Sequence, residues 1–248
     1  MSDVCPIRRI DHVELYVGNA KQAAVFYEAV FGFTTTAHRG LETGSRETAS
    51  YLMEQGDIRL LLTTALIPKH PAAIRVAQHG DGVAIIALEV PDAAAAFRET
   101  VKRGAVPAIE PIEEKDGHGI LRYSAIHCYG DTLIKFVERD DYAGGFGPAF
   151  QGLAEAGLRV RADMRGAGLT AIDHIVGNVE LGAMERWVHF FEETMGFTQL
   201  VHFDDKAIST EYSALMSKVM QDGSGRIKFP INEPAKGRRK SQVQEYLD

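Results

Sequence analysis

Two interleaved sets, Ile10, His12 and Glu14 against Asp11, Val13 and Leu15, with the apolar residues spread between them, read as the two faces of a strand of period two. A turn at Gly18-Asn19 follows. Apolar residues then recur at Ala23, Phe26, Tyr27 and Val30, the i, i+3, i+4, i+7 spacing of an amphipathic helix, and Gly32 ends it. Strands are expected over 48–54 and 58–64, joined by a hairpin turn at 54–57. This order returns later in the chain. Ile10-Asp11-His12-Val13 reappears as Ile172-Asp173-His174-Ile175, 162 residues on, and Phe31-Gly32-Phe33 as Met195-Gly196-Phe197, 164 residues on. Both copies also carry Val-Gly-Asn, at 17–19 and 176–178. The later copy predicts strands over 208–213, 214–220 and 227–231, with a turn at 222–225. A weaker copy lies between them: a strand at 83–90, a helix at 93–103 capped by Asp92, then strands at 120–126 and 132–137.

Repetition of this kind predicts an α+β fold of βαβββ modules, at about 8–66, 80–140 and 170–233. Each module presents a curved sheet with one apolar face, and that face must pack on something. Modules one and two can close on each other as a first domain, residues 1–140. The third opens a second domain, 170–248, and must lean on the first domain, on another chain or on a further module; three of an expected four modules are present. Residues 141–169, with Gly144, Gly145, Gly147 and Pro148, read as a Gly-rich linker with a short helical turn near 153–157.

Composition narrows the function. The chain has 248 residues, and 27 basic against 34 acidic residues give a net charge of −7, which argues against a nucleic-acid surface. The short basic run Arg238-Arg239-Lys240 reads as a solvated approach to a helix. Cys5 and Cys128 form no CxxC spacing and read as two inert thiols in a reducing compartment. No signal-peptide core is visible over 1–9 and no apolar run could span a bilayer, so neither membrane nor export is expected and the cytoplasm is. Asp222–Gly225 is a hairpin turn without the context of a phosphate loop. Trp187, Phe190 and Phe191 read as the core face of a helix, and His12 as a packed or hydrogen-bonded histidine. His189 and His202 have no partner at ligand spacing, and His38, His70, His79, His118 and His127 read as surface or turn residues.

Several stretches are sharper than the repeat. They include Gly44-Ser45-Arg46-Glu47-Thr48-Ala49-Ser50-Tyr51, Ile172-Asp173-His174-Ile175-Val176-Gly177-Asn178-Val179 and Glu211-Tyr212-Ser213-Ala214-Leu215-Met216-Ser217-Lys218. Lys228-Phe229-Pro230-Ile231-Asn232-Glu233-Pro234 and Lys240-Ser241-Gln242-Val243-Gln244 complete the set. Over essentially its whole length the chain resembles the 4-hydroxyphenylpyruvate dioxygenase family of the vicinal oxygen chelate superfamily.

The resemblance implies a scaffold domain followed by an Fe(II) domain. There two histidines and a glutamate hold the metal, leaving positions open for a chelating substrate and dioxygen. It maps the first histidine onto His174, on a strand lining a concave sheet, and substrate-facing polar residues onto Ser217, Asn232 and Gln242. Each has a plainer reading: His174 as a structural histidine, Ser217 at a strand edge, Asn232 in a turn, Gln242 as a polar helix start. In the family the second histidine and the glutamate follow the Lys-Ser-Gln helix, beyond Asp248, so the chain reads as C-terminally truncated and inactive alone. The implied reaction, in tyrosine catabolism, converts the aromatic 2-oxo acid 4-hydroxyphenylpyruvate and dioxygen to homogentisate and carbon dioxide. The family also implies a homo-oligomer. Two alternatives remain: a hydroxymandelate synthase-like enzyme, favoured less by Pro230–Pro234, and a non-catalytic vicinal oxygen chelate binding protein.

Overall fold

In the computed structural model the described residues are 4–155, 166–200, 208–209, 214–235 and 240–247. The first module runs β1 (Arg9–Tyr16), α1 (Ala20–Phe31), β2 (Thr34–Arg39), β3 (Thr48–Gln55) and β4 (Ile58–Ala65). The Asn19 side chain accepts from the Gln22 N–H at the start of α1, and Gly32 ends it at φ +70°, where a side chain would be strained. Helix α2 (Pro71–His79) leads into the second module: β5 (Gly82–Glu89), α3 (Ala93–Lys102), β6 (Pro107–Asp116), β7 (Gly119–His127) and β8 (Leu133–Glu138). Asp92 caps α3 through the Ala95 N–H, as the sequence predicts.

Modules one and two share one nine-stranded sheet in the order β6-β7-β8-β5-β1-β4-β3-β2-β9, where β9 is Gln151–Gly152. The seam is the antiparallel pair β1–β5, and each module repeats a parallel pair beside it, β1–β4 and β5–β8. The sheet curls far enough that side chains of β1, β2, β4, β6, β7 and β8 line a single cavity.

The segment that follows β8 is laid onto this sheet. Phe146 is buried against Leu52 and Leu61, Arg139 donates to its carbonyl, and β9 pairs with β2. The part of the predicted helical turn that is described, Leu153 to Glu155, is a turn after β9; 156–157 lie outside the described residues. Further on, the Thr170 carbonyl accepts from the Asp57 N–H, and Ile172 packs into the α1 side of the first module.

The third module runs β10 (Gly177–Asn178), α4 (Met184–Phe190) with a π-helical turn at Phe191–Met195, β11 (Thr198–Gln199), β12 (Ile208–Ser209), β13 (Ala214–Gln221) and β14 (Lys228–Ala235). Its order β10-β14-β13-β11 repeats β1-β4-β3-β2, including the parallel first pair. Helix α5 (Gln242–Leu247) follows, capped by the Ser241 hydroxyl accepting from the Gln244 N–H. Residues 210–213, part of a predicted strand, lie outside the described residues.

The apolar face of the third module leans on the first domain. One buried core joins Leu88, Phe97, Ile126 and Phe136 of module two to Met184, Val188, Phe191, Phe229 and Ile231 of module three. Tyr129 meets Trp187 edge-on at 5.3 Å, and Phe197 stacks on Phe229 at 5.7 Å. Burial of such a face removes apolar surface from water on both sides at about 25 cal/mol per Å².

Three expectations need correction. Residues 172–175 are not a strand; the strand is confined to Gly177–Asn178. The reason is pairing. Strand β1 sits between β4 and β5, whereas β10 is an edge strand with only β14 beside it among the described residues. Asn232 is not in a turn: it lies within β14, paired on both sides. His38 is not a surface residue. It is buried on β2, with its ring 4.5 Å from that of Tyr51 and 3.1 Å from the Glu42 carboxylate.

Candidate functional site

Alternation along β13 and β14 separates two chemistries. Met220, Phe229 and Ile231 point into the shared core, and Glu233 on the same face accepts from the Gly182 and Met184 N–H groups, anchoring the start of α4. The opposite face carries Ser217, directly across from Asn232, and Asn232 in turn lies beside Asn178 of β10. Three neutral hydrogen-bonding side chains thus stand in a row across three strands. Ser217, Asn232 and Asn178 are all half-buried. Helix α5 lies beside β14 and β10, with Gln242 exposed at its first turn.

His174 precedes β10 and its side chain is 47% exposed, so the structure does not hold it as a ligand built into a strand. Its backbone still runs along β14, since the Ile175 N–H donates to the Lys228 carbonyl at 3.2 Å. Its Nδ1 lies 2.7 Å from the Asp173 carboxylate, and Lys228 Nζ lies 3.7 Å from the other Asp173 oxygen. The hydrogen bond from His174 and then the charge of Lys228 hold the Asp173 carboxyl below the usual carboxylate range. A carboxylate on Nδ1–H fixes the tautomer that leaves the Nε2 lone pair outward, the orientation a metal-binding imidazole needs.

Asp173 and Asn178 were not singled out by sequence reasoning. For Asp173 a signal existed: the Asp-His doublet is repeated. Asp11 and His12 make the same contact at 2.6 Å, but fully buried. Among the described residues, no group of three or more His, Cys, Asp or Glu side chains is placed to hold a metal ion. The structure therefore brings Ser217 and Asn232 together, sets Gln242 on a helix beside the same strands, and leaves His174 at the rim.

Residues 9–131 and 171–245 match the family model described as the glyoxalase/bleomycin resistance protein/dioxygenase superfamily. The chain belongs to that superfamily. The two matched stretches correspond to the paired modules and to the third module, and the curled sheets are those of the vicinal oxygen chelate fold. Within the superfamily the chain is 41% identical over 245 residues to the 4-hydroxyphenylpyruvate dioxygenase of Yarrowia lipolytica, covering 97% of this chain and 62% of that protein. It is 42% identical to the enzyme of that name from Dictyostelium discoideum, covering 96% of this chain and 65% of the relative. The chain thus spans somewhat under two thirds of the length of these curated relatives. A mutant of 4-hydroxymandelate synthase from Streptomyces coelicolor superposes with a TM-score of 0.82 at 24% identity, over 98% of this chain and 67% of that one, a likeness of fold. No helix among the described residues is long and apolar enough to cross a membrane.

Proposed function

We propose that this chain forms the scaffold domain and the first half of the metal domain of a 4-hydroxyphenylpyruvate dioxygenase. The domains would fall at 1–140 and from 170, joined by 141–169. The observation that carries the reading is the row Ser217–Asn232–Asn178 on one face of the third module, beside the Asp173–His174 pair, in a chain about 40% identical to enzymes of that name. The substrate would be 4-hydroxyphenylpyruvate with dioxygen, and the products homogentisate and carbon dioxide.

The residues present do not by themselves fit a ferrous ion. His174 is one donor where the family uses three, and no step of the reaction follows from it alone. When bound, Fe(II) would supply the activation of dioxygen, and in this reading the other two donors come from the part of the relatives' length that this chain does not span. The contribution of this chain is then positional. Asp173 would aim His174 Nε2, and Ser217, Asn232 and Gln242 would hold the phenol and keto-acid groups by neutral hydrogen bonds that add no charge near the metal. Ring rather than side-chain hydroxylation is favoured by the identity to dioxygenases, since the mandelate-forming neighbour matches in fold only. Burial of Cys5 and Cys128 without a disulfide suits a cytoplasmic protein, and assembly as a homo-oligomer follows the family.

The test is a chimera in which Asp248 is followed by the matching remainder of the Yarrowia lipolytica relative. Loaded with Fe(II), it should release homogentisate, and His174→Ala should abolish turnover, while the 248-residue chain alone should bind iron weakly and form no product. Formation of 4-hydroxymandelate instead, or full activity of the His174→Ala chimera, would overturn the reading.

A further inference from the structure

The first domain encloses a cavity of about 150 Å³ on the inner side of its curled sheet, and no role proposed above uses it. Its wall contains the repeat counterpart of His174. His12 is only 2% exposed, gives Nδ1–H to Asp11 at 2.6 Å, and among the described residues has no partner for the buried Nε2. With Nδ1 carrying the proton, Nε2 is a buried lone pair awaiting a donor. An orphaned buried polar atom costs about 1–3 kcal/mol, so it signals something that normally completes it.

Donors wait in the same space. Among the described residues Arg39 Nε is buried without an acceptor, although Nη2 reaches the Thr48 hydroxyl at 3.4 Å, and Lys135 Nζ lies 4.0 Å over the Tyr123 ring. Burial lowers the Lys135 pKa, while the nearby carboxylates of Glu14 and Glu114 push it back up. Glu14 and Glu114 each use one oxygen, accepting from Thr63 and Tyr123 respectively, and among the described residues no bond occupies the second. Arg139 is spoken for by the Asp11 carboxylate. Two cations and two carboxylates therefore face one cavity without pairing with each other.

The charges balance, which disfavours a lone anion or a lone cation. They complement a ligand carrying both. We propose that the cavity of the first domain binds a small zwitterion, a compact α-amino acid, with its carboxylate at Lys135 and Arg39 and its ammonium at His12 Nε2, Glu14 and Glu114. The volume is below the ~300 Å³ of ordinary ligand pockets, which restricts the occupant to roughly eight non-hydrogen atoms. Phe146 and Phe150 supply the aromatic part of the wall.

Titration calorimetry of the full chain with glycine, L-alanine, L-serine and L-valine tests this, against acetate and ethylammonium as the two half-ligands. The expected result is saturable binding of at least one amino acid, at least tenfold tighter than either half-ligand. Lys135→Gln and, independently, Glu114→Gln should each weaken it tenfold or more, with circular dichroism confirming that both variants are folded. No saturable binding of any amino acid, equally tight binding of acetate alone, or unchanged binding in both folded variants would overturn the proposal.

Discussion

Replacing Phe191 by alanine isolates the packing that seats the third module. The side chain is 0% exposed, and its ring lies 5.4 Å from Phe229, 5.7 Å from Phe197 and 6.1 Å from Tyr129 of module two. Losing about 150 Å² of buried apolar area at about 25 cal/mol per Å² costs about 4 kcal/mol, within the ~3–5 kcal/mol range for Phe→Ala in cores. With a urea dependence of about 3 kcal/mol per M, that moves the midpoint down by about 1–1.7 M. Trp187, the single tryptophan, packs on Tyr129 across the same boundary, so its fluorescence reports separation of the modules. Urea titrations followed by Trp187 emission and by far-ultraviolet circular dichroism should coincide in the parent. In Phe191→Ala the fluorescence transition should come first. Coincident curves shifted by less than about 0.3 M would refute the shared core.

Asp11 predicts a pH effect. Burial pushes its carboxyl up, but the hydrogen bonds from Arg139 and His12 override this and hold it far below its ordinary 3.8. A carboxyl depressed in the fold stabilises fully above its unfolded value; that stability erodes as pH falls below about 4. Asp11→Asn should flatten this acid limb and, by stranding Arg139, cost about 3–5 kcal/mol in denaturant titrations at pH 7. Gly119→Ala should cost at least about 2 kcal/mol by thermal melting, because φ is +127° and the new Cβ would meet the Asp141 carbonyl oxygen at 2.0 Å. Burial pushes the Cys128 thiol up to about 12, so iodoacetamide at pH 8 should label it only after unfolding, as peptide mass analysis would read. Rapid labelling of Cys128 in the native protein would contradict its place in the core.

What the sequence made legible was the part written in apolar periodicity. The strands β1, β3, β4 and β5 and the helices α1 and α3 stand within a residue or two of expectation, because each buries apolar side chains. In α1, however, the buried positions are Ala20 and Ala24, and Phe26 and Val30 of the expected face are 52% and 57% exposed. Elements without that face were missed. Strand β6 is mostly exposed and charged and is held by its pairing to β7; β2, with Thr34-Thr35-Thr36, offers no apolar run. Helix α2 starts at Pro71 behind a cap supplied by His70, an acceptor outside the usual Ser, Thr, Asp and Asn set. The opposite error, a strand over 172–175, shows that alternation records what a segment can bury; a strand also needs neighbours to bond. At the site, periodicity could place Ser217 on a strand, but only register reveals that it faces Asn232.

The joint core of modules two and three also sets where the chain can be cut. A fragment ending at residue 140 would keep every strand from β1 to β8, yet it would uncover Tyr129, Cys128 and the flank of α3, now sealed by α4 and β14. Repeat boundaries follow the recurring sequence pattern, whereas cooperative stability follows the apolar seam that crosses them. An excised scaffold should therefore be prone to stick to itself through that bared flank, even with all its hydrogen-bonded ladders intact.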